Sequence, residues 1–185
     1  EQIKGLVSVS KQAPYGKGHQ TLIDTKVRNG WQIDKDEIIF CDDLWSKNLN
    51  KILRQSEAFF NFENDCFEAE FYKLLIYETG GFFVPRQDTE KIKDMIATLV
   101  ICLPSEHQGG QLRISHLDDV ALFESEKLLK NNEMACVMFY ADCWHELTKV
   151  TSGNRICLTY NIRVKKKTSQ LNIDFRQQNA IDQSI

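Results

Sequence analysis

The pattern of apolar and polar positions changes character twice along the chain. Over residues 1–40 the apolar pieces are short, Leu6-Val7 and Ile38-Ile39-Phe40, and Gly5, Gly16, Gly18 and Gly30 punctuate them. That pattern predicts an irregular to β segment. From Asp42 to about Asn61 the spacing becomes helical, with Leu44, Leu49, Ile52 and Leu53 on one side and Ser46, Lys47, Asn50 and Lys51 on the other. One amphipathic helix is expected there, capped by Asp42 or Asp43 and laid over a sheet. Beyond Asn64-Asp65 the chain turns β-rich and stays so. Runs at 67–77, 82–88, 95–103, 111–115, 120–123, 134–140, 144–147 and 155–164 are dense in aromatic and branched residues, and turn signals such as Gly80-Gly81, Gly109-Gly110 and Ser152-Gly153-Asn154 separate them. Many short strands after one helix predict a mainly β sandwich or jelly roll.

Composition narrows this without redirecting it. With 185 residues and 42% hydrophobic content, the chain has material for one sizeable core, so a single domain over 1–185 is expected. Net charge is only -3 and the basic residues are dispersed apart from Arg163 to Lys167, which disfavours nucleic acid as a partner. That run follows the last apolar strand and reads as a solvated exit from the core. Six cysteines occur with no C-x-x-C pair, and Cys102 and Cys157 lie inside apolar runs, where reduced cysteine behaves as a small buried hydrophobe. A reducing, cytoplasmic setting is therefore expected. No apolar run approaches the length of a bilayer span, so no membrane partner is expected. The YGKG segment at Tyr15 to Gly18 lacks the strand before and helix after that a phosphate loop needs.

The candidate chemistry lies in Tyr77 to Lys91, YETGGFFVPRQDTEK, centred on Arg86-Gln87-Asp88. On a strand, residues 86 and 88 face the same way. His145, in FYADCWHEL, begins another predicted strand, and Arg155 heads the last one. Taken singly these residues have ordinary readings: a cap, a satisfied polar group, a surface pair. On inward faces of separate strands, however, an aspartate, a histidine and an arginine converge in the mouth of a barrel, the arginine placed to fork a carboxylate.

From about Ala13 to Ile162 the chain resembles the Fe(II)/2-oxoglutarate-dependent dioxygenases of the prolyl 4-hydroxylase type. The family pattern Tyr-x-x-Gly-x-x-(Phe/Tyr)-x-Pro-His-x-Asp, followed by a distal His and then a basic residue, is met by Tyr77, Gly80, Phe83, Pro85, Asp88, His145 and Arg155. Only Arg86 departs from it. The resemblance implies a double-stranded β-helix with helices packed on one side. It implies Fe(II) and 2-oxoglutarate as cofactors, Asp88 and His145 as metal ligands with Arg86 at the third position, Arg155 as the clamp of the distal 2-oxoglutarate carboxylate, and Tyr77 as a further cosubstrate partner. The family reaction couples oxidative decarboxylation of 2-oxoglutarate to hydroxylation of a substrate carbon, in a protein, peptide or small molecule.

Arg86 divides the expectations. A guanidinium has only donors and stays charged, so it is no substitute for imidazole on a metal. Within about 4 Å of a dication it is repelled by roughly 8 kcal/mol at an effective dielectric near 20. One expectation is therefore an oxygenase working with two protein ligands. The alternative is a pseudoenzyme that holds a dicarboxylate or peptide without chemistry, with Arg86 salt-bridged to Asp88. Rescue of the ligand set by His19, His107 or His116 is not expected, and Cys143 shares strand parity with His145.

Overall fold

The computed structural model describes residues 2–17, 20–60, 62, 65–88, 92–129 and 133–166. His19 and the Thr89-Glu90-Lys91 end of the motif lie outside the described residues. Short elements lead the chain: α1 (Gln2–Val9), β1 (Lys11–Gln12), β2 (Tyr15–Lys17), β3 (Gln20–Leu22), β4 (Arg28–Asn29) and β5 (Trp31–Asp34). The long helix α2 (Asp43–Phe59) precedes β6 (Asp65–Glu78), β7 (Phe82–Arg86), β8 (Met95–Cys102), β9 (His107–Gly109), β10 (Leu112–His116) and β11 (Asp119–Phe123). One helical turn, α3 (Ser125–Leu128), separates these from β12 (Ala135–Tyr140), β13 (Trp144–Leu147) and β14 (Val150–Lys166).

Apart from the separate antiparallel pair β2–β3, the strands form two antiparallel sheets. The larger runs β1-β5-β6-β14-β8-β12, with β9 pairing to β14, and the smaller runs β11-β10-β13-β7-β4. Side chains from both sheets, among them Leu75, Val100 and Cys157 from one and Phe83, Ile114 and Leu147 from the other, make a core between them. A second core on the outer face of the larger sheet is closed by α1 and α2 through Leu6, Val7, Leu49 and Leu53. The molecule is thus a mainly β jelly roll with helices on one side.

Asp42 is the cap of α2: its carboxylate accepts from the Leu44 N–H at 2.7 Å. Leu44 itself is 57% exposed, against expectation. The inward row begins at Trp45, whose indole Nε1–H donates to Tyr160 Oη at 2.9 Å, and continues through Leu49, Ile52 and Leu53 at helical spacing. A second difference is α1, where an irregular segment was expected. Ile3, Leu6 and Val7 form an i, i+3, i+4 stripe that packs on the helix-side core despite Gly5. A third is that β14 begins at Val150, so Arg155 lies well inside a long strand rather than at its head. Arg163 and Lys165 both pair with Glu68 on the surface, in keeping with a solvated exit from the core. All six cysteines are free thiols. Among the described residues no helix is long and apolar enough to cross a membrane.

Candidate functional site

A cavity of about 380 Å³ opens between the sheets, and the strand period decides what lines it. Along β14, alternation sends Arg155, Cys157, Thr159 and Asn161 to the inner face. Arg155 stands directly across the ladder from Tyr77 on β6, so the two share that face. The pairing slips between Thr159 and Tyr160, opposite Lys73 and Phe71. The extra residue, Tyr72, makes this a bulge, and it allows Tyr72 and Lys73, neighbours in sequence, both to reach the cavity.

Arg155 is 2% exposed. Its Nε–H donates to Ser125 Oγ at 3.3 Å and its Nη1 to Cys157 Sγ at 3.3 Å, while Nη2 is shut off from solvent without a hydrogen-bond partner among the described residues. Ser125 Oγ also meets His107 Nε2 at 3.0 Å, and the other ring nitrogen of His107 lies 3.0 Å from the Ser105 carbonyl. Burial lowers the His107 pKa, which keeps the ring neutral. Cys157 faces Cys102 across the β14–β8 ladder. A hydrogen bond from Cys157, with Arg155 beside it, holds the Cys102 thiol down at about 6. Burial works against the charge on Arg155, but Cys157, Cys102 and Tyr77 outweigh it, leaving the guanidinium pKa raised. Arg155 is a fixed cation with one donor reserved.

At the other end of the cavity, His145 Nε2 lies 3.8 Å from Asp88 Oδ2, and both side chains are almost fully buried. His145 Nδ1 is 3.2 Å from the Cys143 carbonyl, which fixes the ring by N–H donation and turns Nε2 toward Asp88. The Thr98 hydroxyl donates to the same Asp88 oxygen at 2.8 Å. Arg86 sits opposite His145 in the β7–β13 pairing. The strand ends at Arg86, yet Asp88 still lines the same cavity. The expected Arg86–Asp88 salt bridge is not formed. Arg86 instead lays its guanidinium over the Phe83 ring at 4.8 Å, with its Nε sealed and unpartnered among the described residues. Burial and then the nearby charge of Arg28 lower its pKa.

The donor set at this end does not fit a three-ligand metal centre. An imidazole and a carboxylate are present, but Arg86, paired across the ladder from His145, carries a group that only donates. Neither His107 nor His116 lines the cavity, and His116 lies 3.8 Å from Asp142 on the surface. Among the described residues no group of three His, Cys, Asp or Glu side chains is arranged to hold a metal.

Residues that the sequence did not single out complete the site. Arg28, 3% exposed, comes from the two-residue strand β4 opposite Phe83; it donates to the Pro14 carbonyl and to Tyr77 Oη, both at 3.0 Å. Ser125 owes its place to the turn α3. Nothing local marks either residue in the sequence. The nearest signal for Arg28 is Gly30, where a Cβ would come within 2.7 Å of the Tyr77 ring, so the chain must pass that ring closely.

The 2OG-Fe(II) oxygenase superfamily model matches residues 72–163, the span that carries Tyr77, Asp88, His145 and Arg155. That span belongs to the 2OG-Fe(II) oxygenase superfamily. The solved structures most like this chain include a Pseudomonas putida prolyl-4-hydroxylase at 18% identity and TM-score 0.56, covering 87% of this chain and 80% of that one. A viral collagen prolyl hydroxylase from Paramecium Bursaria Chlorella virus-1, solved as a 2OG complex, gives 17%, 0.51, 74% and 80%. A Trichoplax adhaerens prolyl hydroxylase, solved with a hypoxia inducible factor oxygen degradation domain peptide fragment, gives 13%, 0.52, 88% and 74%. At these identities the likeness shows the fold. No curated protein matches the chain.

Proposed function

We propose that this superfamily member binds 2-oxoglutarate or a closely related dicarboxylate at Arg155, and that tight Fe(II) binding and hydroxylation are lost or strongly weakened by Arg86. The observation that carries this is the unpartnered Nη2 of Arg155, a buried cationic donor of a cavity-lining side chain whose other nitrogens are already committed. A carboxylate is the acceptor that matches such a buried cationic donor. Tyr77, beside it across the ladder, is the second contact proposed for the ligand. Asp88 and His145 are retained from the superfamily's metal set, and Arg86 occupies the remaining place.

A second reading, an active prolyl-hydroxylase-like oxygenase working with two protein ligands, draws support from how Asp88 and His145 are set. Their facing atoms are already close, and each is held by a further hydrogen bond. Were Fe(II) bound, it would supply the oxygen chemistry of the superfamily; the chain's own part would be to orient the ligand from Arg155 and keep His145 in one tautomer.

Metal content and succinate release, measured side by side on this chain and on Arg86→His, separate the two readings. The expected result is neither iron nor turnover in the parent chain and a gain of both in the variant. Stoichiometric iron with 2-oxoglutarate-dependent succinate release from the parent chain would establish the oxygenase reading instead.

A further inference from the structure

Three buried guanidinium nitrogens in the cavity lack partners among the described residues, and they fall at two places. One is Arg155 Nη2. The others are Arg28 Nε and Arg86 Nε, at the end where a third metal ligand would stand. Arg28 and Arg86 both lie beside one ring: their guanidinium carbons are 5.8 and 4.8 Å from the Phe83 centroid. Arg28 is anchored there by hydrogen bonds to Pro14 and Tyr77. Two cations beside one ring repel each other, and an anion bound by both offsets the repulsion and offers acceptors to the unpartnered donors. Among the described cavity residues Asp88 is the sole carboxylate, and it is turned to Thr98 and His145.

We propose that Arg28 and Arg86 form a second acid-group subsite, so that a dicarboxylate is held at one end by Arg155 and at the other by this pair, with no metal between. The inference rests on the Arg155 reading above and adds the second anchor. It also changes what the pocket selects. A metal distinguishes a 2-oxo acid from a plain acid because the oxo oxygen completes a chelate ring, whereas an arginine pair reads only the carboxylate. The ligand class is therefore a short dicarboxylate in general, glutarate as readily as 2-oxoglutarate.

Calorimetric titration of the full chain in the presence of EDTA tests this with glutarate and 2-oxoglutarate as probes. The two should bind within about threefold of each other. Arg28→Gln and Arg86→Gln should each weaken both by about tenfold or more, the usual scale for one charge-assisted bond. Arg28→Gln also removes bonds to Pro14 and Tyr77, so its thermal unfolding is checked. Arg86→Gln leaves those bonds in place and decides the matter if Arg28→Gln does not fold. Binding of 2-oxoglutarate that needs added metal and excludes glutarate overturns the proposal. If a dicarboxylate binds and only Arg155→Gln weakens it, the second subsite is refuted while the Arg155 reading stands; if the parent chain binds neither probe, both fall together.

Discussion

The two ends of the cavity are built from the same material, antiparallel ladders with inward-facing polar side chains, but they are finished differently. At the Arg155 end the cation is surrounded by groups that complement it: a serine tied to a histidine, and a thiol pair with one member held toward its anionic form. At the Arg86 end the cation lies near another cation and rests on an aromatic ring, and the Asp88 carboxylate meets Thr98 and His145. The first end fits its guanidinium closely. The second holds Arg86 through burial and ring stacking rather than through an ion pair with Asp88. A fold conserves its architecture more readily than its chemistry, because the ladder that places residue 86 depends on backbone bonds and is indifferent to the side chain it carries.

The largest expected effect comes from removing what both cations of the second end share. Phe83→Ala empties a core position that is 7% exposed, and it should cost about 3–5 kcal/mol in denaturant unfolding. A loss below about 1 kcal/mol would mean that the ring packs less tightly than its surroundings indicate. Next, Arg155→Gln should weaken dicarboxylate binding by about 100-fold, since the buried charge-assisted contact is lost. If that variant binds as the parent does, the first end is not the clamp. Ser125→Ala tests whether the surroundings of Arg155 matter: it leaves Arg155 Nε and His107 without their shared partner, and a destabilisation of about 1–3 kcal/mol is expected.

The smallest effect is a slope with pH. The folded Cys102 pKa of about 6 lies below its ordinary value of 9.0. Its contribution to stability is therefore fully present above pH 9.0 and is lost as pH falls through about 6. Cys157 is shifted the opposite way, so it adds nothing to that rise and opposes stability only at higher pH. The melting temperature of the parent chain should climb from pH 6 toward 9 more steeply than that of Cys102→Ala. Parallel curves for the two proteins would show that the thiol pair is uncharged in this range.

Much of this contrast was legible in the sequence, for local reasons. Strand alternation, the aspartate cap of α2 and the spacing from Tyr77 to Asp88 are short-range signals that pointed to the sheets, and Tyr77, Asp88, His145 and Arg155 all line the cavity. Leu44 misled because one apolar residue at the first turn of a helix has no neighbour below it to fix which face it joins; Trp45, with Tyr160 to bond, took the inward place. Arg28 was invisible for the opposite reason. Its burial depends on pairing with β7, far along the chain, and on a close pass over Tyr77 that only Gly30 hints at. The position of Arg86 could be read, but not its partner, because the choice between Asp88 and the Phe83 ring is made by geometry at ångström scale.

The pairing of Arg86 with His145 has one more consequence, which concerns descent. Histidine codons lie a single base from arginine codons, and the two residues at this rung make the same main-chain bonds whichever is present. An exchange between the two at position 86 would therefore leave the rung of the ladder intact. On the proposed reading, the jelly roll is a scaffold on which one mutational step trades a metal ligand for an anion-binding arginine.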